Sequence, residues 1–180
     1  YLQVTRGSSG DRSFYYPAAG TLPTVVLYTQ AKSLLDNFKP LRVITLDDLR
    51  WARRDIKTVQ LLGPSMAKMA AKAANVDDAW MVDAAGNVTE STSANAYIVT
   101  GGKIITRNLT SDILHGITRA AVVRLAKEAA LEVEERAFTV DEAKAAQEAF
   151  LTSASSFVLP VVEIDGVALG GRRPVHDGVG

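Results

Sequence analysis

The sequence has 180 residues, room for one good-sized domain or for one domain and part of another. Twenty Lys and Arg balance twenty Asp and Glu. That neutrality argues against a nucleic-acid binder, which must neutralise phosphates, and against a polybasic membrane-surface protein. With no Cys, disulfides, iron–sulfur clusters and thiolate zinc sites are excluded, and two His residues leave no histidine-rich metal site to expect. An apolar fraction of 47% beside 22% charged residues suits an ordinary globular domain. No apolar run approaches the roughly 18 residues of a membrane span, and the lack of Cys points to a reducing cytoplasm.

In chain order, Tyr1-Leu2-Gln3-Val4-Thr5 alternates like a strand and runs into Arg6-Gly7-Ser8-Ser9-Gly10-Asp11-Arg12, whose Gly and Ser suit turns. Thr24 to Thr29 is β-branched and apolar, which predicts a buried strand. Residues 30–41 form a polar connection with Lys32, Asn37, Lys39 and Pro40. The expected division is therefore 1–29, a linker over 30–41, and a larger domain over 42–180. Arg42 to Leu46 predicts a strand, followed by the charged Asp47-Asp48-Leu49-Arg50. From Gln60 to Ala74, apolar residues three and four apart predict an amphipathic helix, with Gly63 and Pro64 disturbing its first turn.

Strands are expected at Ala79 to Asp83 and Val88 to Glu90, around a turn at Ala84-Ala85-Gly86-Asn87. Ala94 to Thr100 and Lys103 to Arg107 flank Gly101-Gly102, a strong hairpin signal. Ile117 to Leu131 predicts the longest helix, Val133 to Phe138 a strand, and Val140 to Gln147 a short helix with acids at its start. Ala149 to Thr152 and Phe157 to Ile164 predict strands around a Ser-rich bend, and Asp165-Gly166 another hairpin turn. The elements interleave irregularly, so the expected class is mixed α/β (α+β). The opening strand begins without Met, and Asp177-Gly178-Val179-Gly180 closes on a turn; both ends read as cut from a longer polypeptide.

Four places stand out for chemistry. In Asp55-Ile56-Lys57-Thr58, strand alternation would put Lys57 and Asp55 on one side. A buried lysine loses its proton more easily and becomes a nucleophilic amine, whereas the plainer reading is a solvated strand lysine, one of eight in the sequence. Glu90 opens Glu90-Ser91-Thr92-Ser93-Ala94-Asn95, where a carboxylate among hydroxyls either pairs with a cation or caps a strand end. Gly116-Ile117-Thr118-Arg119 starts a helix, and any helix start can attract an anion. Thr152-Ser153-Ala154-Ser155-Ser156 could offer amides and hydroxyls to the same anion, or is a polar bend. The adjacent acids Asp47-Asp48 and Glu134-Glu135 diverge in a strand and read as solvated charges.

In this order and at these separations, the motifs resemble the fold-type IV pyridoxal-phosphate enzymes. That family includes D-amino-acid transaminases, branched-chain aminotransferases and aminodeoxychorismate lyases. The resemblance rests on Asp55-Ile56-Lys57, on Val88-Thr89-Glu90 with Ser93 and Asn95, on Leu114 with Gly116-Ile117-Thr118-Arg119, and on Thr152-Ser153-Ala154 ahead of Pro160-Val161. It spans essentially the whole sequence. Val4-Thr5-Arg6-Gly7 followed by Arg12 is most similar to the D-amino-acid transaminase branch.

The resemblance implies a pseudo-barrel domain that binds pyridoxal 5'-phosphate, with only the last strands of a small first domain before it. It implies that Lys57 holds the cofactor and moves the substrate proton, and that Glu90 bonds the pyridine nitrogen. Ile117, Thr118, Ser153 and Ala154 would cup the phosphate, Leu114 would pack on the ring, and Ser93 would join the cofactor site. Arg12 would bind the substrate carboxylate, with Phe14 where that branch typically has histidine. A first domain before Tyr1, supplying an arginine to the phosphate, and a terminal helix after Gly180 are implied too. The expected activity is transamination between α-amino acids, D-alanine among them, and 2-oxo acids, in a homodimer. The alternatives are a branched-chain or amine transaminase or a lyase of the same fold. From another class, the chain could be an incomplete fragment serving as a binding domain.

Overall fold

In the computed structural model, which describes residues 1–31 and 38–170, the chain divides into two compact units, residues 1–36 and 37–180. Residues 32–37 of the expected linker, and the closing Asp177-Gly178-Val179-Gly180, lie outside the described residues.

The smaller unit is built on two short strands, β1 (Leu2–Val4) and β2 (Val25–Leu27), paired antiparallel with Leu2 opposite Leu27 and Val4 opposite Val25. Alternation puts those four apolar side chains on one face. All four are exposed, as is Val26, so the buried strand expected at Thr24 to Thr29 is not what forms. A two-stranded ribbon has no second layer of its own to cover a face.

In the larger unit the sheet runs in the order β5-β4-β3-β10-β9-β6-β7-β8, with β11 added on β10. The strands are β3 (Leu41–Asp47), β4 (Asp78–Val82), β5 (Val88–Ser91), β6 (Asn95–Thr100), β7 (Lys103–Thr106), β8 (Glu132–Glu135), β9 (Glu148–Ser153), β10 (Phe157–Ile164) and β11 (Val167–Ala168). β3 pairs in parallel with β4 and β10, and β7 with β8; the remaining pairs are antiparallel. This is the mixed α/β class expected, in a sheet curled into a half-barrel. Gly101 and Gly102 make the β6–β7 turn at φ 57° and 78°, the left-handed region that suits glycine in a two-residue hairpin.

Three helices complete the unit among the described residues: α1 (Leu62–Ala73), α2 (Ile117–Glu128) and α3 (Val140–Lys144). Pro64 is tolerated in α1 because it falls in the first turn, where amide hydrogens have no partner within the helix. α3 starts in a capping box: Thr139 accepts from the Glu142 amide, and Glu142 accepts from the Thr139 amide. The core packs Val43, Trp80, Ile98, Phe138, Leu151 and Ile164 between sheet and connections. A second cluster joins α1 to the sheet through Ala67, Ala71 and Ala79.

A short connection joins the β5 edge of the sheet to β6, which lies inside the sheet between β9 and β7. β5 ends at Ser91 and β6 begins at Asn95, with the Ser91 amide donating to the Ala94 carbonyl at 2.8 Å. β5 is an edge strand and β6 lies across the curl, so this link brings the end of β5 beside the segment that precedes α2.

Candidate cofactor site

A cavity of about 470 Å³ opens in the larger unit between the 50–64 segment, the β5–β6 connection, the start of α2 and the β9–β10 bend. Lys57, Glu90, Ser93 and Leu114 line it, and so do Ile117, Thr118, Ser153 and Ala154. Elements nearly a hundred residues apart in sequence thus converge on one space. Arg12 and Phe14 belong to the smaller unit, where the Arg12 guanidinium lies over the Phe14 ring, 4.7 Å from its centroid.

Glu90 is buried, and both its oxygens are engaged. Arg50 Nη1 donates to Oε1, while Asn95 Nδ2 and the Leu114 amide donate to Oε2, each at 3.1 Å. Burial pushes the Glu90 carboxyl above its ordinary pKa, against the opposing pull of Arg50. Asp48 behaves in the opposite way. Burial pushes its carboxyl up too, but hydrogen bonds and charge from Arg50, with Thr89, outweigh that and hold it below the ordinary value.

At the other end, α2 begins after Gly116 with no side-chain cap and no acid in its first turn. Its leading amides are free to bond an anion that enters the cavity, and the helix dipole favours one. Across the opening, Thr152, Ser153 and Ala154 come from the end of β9 and the bend after it. The donor set suits a phosphorylated aromatic cofactor: amides and a hydroxyl at one end, a buried acid at the other, and an amine on the wall.

Two expectations are corrected here. Lys57 is not on a strand but in an irregular segment between β3 and α1, and it is exposed in this chain. Asp48 is no solvated charge: its side chain has 0% exposure, whereas Asp47 is exposed as expected. Glu134 and Glu135 do diverge, Glu134 to Arg136 and Glu135 to the buried Arg119.

The sequence pointed to no role for Arg50, Arg54 or Asp112, and Asn95 entered only as part of the Glu90 motif. The only signal was local: an acid two residues before an arginine, in a charge-rich segment that looked like a solvated strand end. His115 also lines the cavity, with Nε2 3.1 Å from the Thr110 carbonyl.

A sequence model of the family described as amino-transferase class IV matches residues 1–164. The chain belongs to this family. Among relatives, this class IV aminotransferase chain is 41% identical to a D-alanine aminotransferase of Bacillus licheniformis over 176 residues, which are 97% of this chain and 61% of that protein. It is 36% identical to a D-alanine aminotransferase of Staphylococcus aureus strain COL over 182 residues, 99% of this chain and again 61% of the relative. The chain thus spans about three-fifths of the length of these curated relatives. Among solved structures, it matches the PLP-form of a branched-chain amino acid aminotransferase from Thermobaculum terrenum with a TM-score of 0.78 and 28% identity. That match covers 90% of this chain and 55% of the other.

Proposed function

We propose that the protein is a pyridoxal-phosphate-dependent aminotransferase that moves an amino group between α-amino acids and 2-oxo acids, with D-amino acids such as D-alanine as donors. The observation that carries this reading is the convergence of Lys57, Glu90 and the uncapped start of α2 on one cavity. The D-alanine aminotransferases among the relatives support the donor class.

When bound, pyridoxal phosphate supplies an electron sink that makes the Cα–H bond of an attached amino acid acidic. Lys57 Nζ is the amine that would hold the cofactor, and it would also serve to take and return the substrate proton. Glu90, whose Oε1 and Oε2 are held in place by Arg50, Asn95 and Leu114, would be the acid that bonds the ring nitrogen and keeps it protonated. The Ile117 and Thr118 amides, with the Ser153 hydroxyl and the Ala154 amide, bind the phosphate. Leu114 and Ser93, on the wall with Glu90, would help to hold the ring.

Arg12 receives the substrate carboxylate. A guanidinium over a ring face, as Arg12 is over Phe14, still has N–H groups to offer a carboxylate bidentately. The complete protein is a homodimer, a reading supported by the exposed Phe14, Tyr15 and Tyr16 in the smaller unit. It works in the cytoplasm, where a chain without Cys loses nothing. A branched-chain donor is the second reading, favoured by the apolar Trp51, Ile56 and Leu61 on the cavity wall and by the structural likeness to a branched-chain enzyme.

The test is amino transfer to 2-oxoglutarate from D-alanine, L-alanine and L-leucine, with borohydride fixation and peptide mapping. The expected result is preference for D-alanine and a fixed cofactor on Lys57. Faster transfer from L-leucine favours the second reading, and no transfer with no adduct rejects both. Sedimentation of the active protein as a monomer would reject the homodimer.

A further inference from the structure

Arg50 stands at the centre of a buried relay of charges that the roles above leave unexplained. Its Nε and Nη2 grip both oxygens of Asp48, at 2.9 and 2.7 Å, and its own amide donates to Oδ1 at 3.1 Å. That two-point hold fixes the plane of the guanidinium and leaves Nη1 directed at Glu90 Oε1. Asp48 is held from its far side as well. Thr89 Oγ1 donates to Oδ2 at 2.7 Å, and Arg54 Nε lies 3.1 Å from the same oxygen, paired by charge although not aligned as a hydrogen bond.

The relay continues towards α2. Arg54 Nη1 donates to Asp112 Oδ1 at 3.3 Å, and Arg107 Nη2 donates to Asp112 Oδ2 at 2.9 Å. Asp112 stands two residues before Leu114, whose amide holds the other oxygen of Glu90. Both oxygens of one carboxylate are therefore fixed by the same connected framework. Buried ion pairs contribute little net stability, because desolvation offsets most of the attraction. What this arrangement does supply is direction.

Two acids share one guanidinium here, and they share it unequally. Asp48 takes two arms of the fork and is the firmer anion. Glu90 takes one arm and lines the cavity, which leaves it the acid able to share a proton with a partner there.

We propose that Asp48 and Arg50 are positioning residues that fix the Glu90 carboxylate for the cofactor's ring nitrogen, and so set how firmly the cofactor is held and how fast the substrate proton leaves. The proposal rests on the reading of this cavity as a pyridoxal-phosphate site.

A double-mutant cycle tests it. Arg50→Lys keeps a charge but cannot hold Asp48 at two points and reach Glu90 together. Asp48→Asn keeps the shape and loses the charge, and it carries the same cycle if Arg50→Lys does not fold. Each is made alone and with Glu90→Gln, and two quantities are read: the Kd of pyridoxal phosphate for cofactor-free protein, and kcat against KM. In the Glu90 background, Kd is expected to rise about tenfold and kcat to fall about ten- to a hundred-fold, with donor KM within about twofold. In the Glu90→Gln background both changes should shrink to about twofold or less. Equal losses in both backgrounds would show that the pair acts on the fold rather than through Glu90, and would overturn the proposal. So would an unchanged Kd in the single variants. Because Kd needs no turnover, the cycle still decides this point if the protein transfers no amino group, an outcome that would instead reject the proposed activity.

Discussion

Asn95 Oδ1 stands where a β-carbon on Gly116 would have to go, while Asn95 Nδ2 donates to the Leu114 carbonyl at 2.9 Å and to Glu90 at 3.1 Å. One side chain at the start of β6 therefore ties the buried acid to the start of α2. Gly116 has φ −63° and ψ 137°, which any residue can adopt. Close approach, and not backbone conformation, is what demands glycine here.

Gly116→Ala should therefore push Asn95 aside and loosen both ends of the cavity. Overpacking of this kind costs about 1–3 kcal/mol, read as a lower urea midpoint. Pyridoxal phosphate should also bind more weakly, measured by titration of cofactor-free protein. Unchanged affinity would show that Asn95 relaxes without disturbing Glu90.

Lys57→Ala should abolish transamination and leave no borohydride-fixed cofactor. Among the described residues Lys57 is the one lysine on the cavity wall, and the proposed chemistry needs a covalent amine there. A reducible adduct surviving on another lysine in the mapped peptides would move the assignment.

Arg12→Ala should raise KM for α-amino acids while a simple primary amine loses little. Losing charge-assisted contacts to a carboxylate costs about 1.5–3 kcal/mol, or about ten- to a hundred-fold in kcat/KM. With an aromatic platform rather than a second cation beside it, the lower end is expected. Kinetics with paired amino-acid and amine substrates check this. Equal losses for both would make Arg12 a residue that shapes its loop.

Asp165, at the turn between β10 and β11, provides a test of stability away from the cavity. Its carboxylate accepts from the Thr45 amide at 2.6 Å and the Thr45 hydroxyl at 2.8 Å, and pairs with Lys144 at 2.8 Å. Burial pushes its carboxyl up, but Lys144 and Thr45 outweigh that and hold it below its ordinary value. A carboxyl depressed in the folded state contributes stability above its unfolded pKa, about 3.9, and loses it as pH falls through the folded value. Asp165→Asn should therefore destabilise at pH 7 and cost progressively less below about pH 4. Urea denaturation at both pH values reads the difference. A cost independent of pH would mean that shape, not charge, holds the turn.

Local chemistry was legible where the sequence carries its own partners. Gly101-Gly102 specified a hairpin because two adjacent glycines make the left-handed turn inexpensive. Of the acids expected at the head of α3, Glu142 proved to be half of a capping box, a contact between residues three apart. The order and spacing of Lys57, Glu90, Gly116 and Ser153 pointed to the family that the match over residues 1–164 shows.

Burial of charge was decided elsewhere. Asp48 looked like a solvated strand end, yet Thr89, which helps to hold it, lies 41 positions away on β5. Arg119 shares a face of α2 with Val123 and Ala126, but the groups that take its charge, the Arg107 carbonyl and Glu135, come from other parts of the chain. Lys57 read as a strand lysine, but its segment pairs with no strand among the described residues. Alternation and periodicity report which side chains share a face. Whether a face meets water depends on what a distant part of the chain lays over it, and only the curl that brings β5 back to β6 settles that for Glu90 and the arginine beside it.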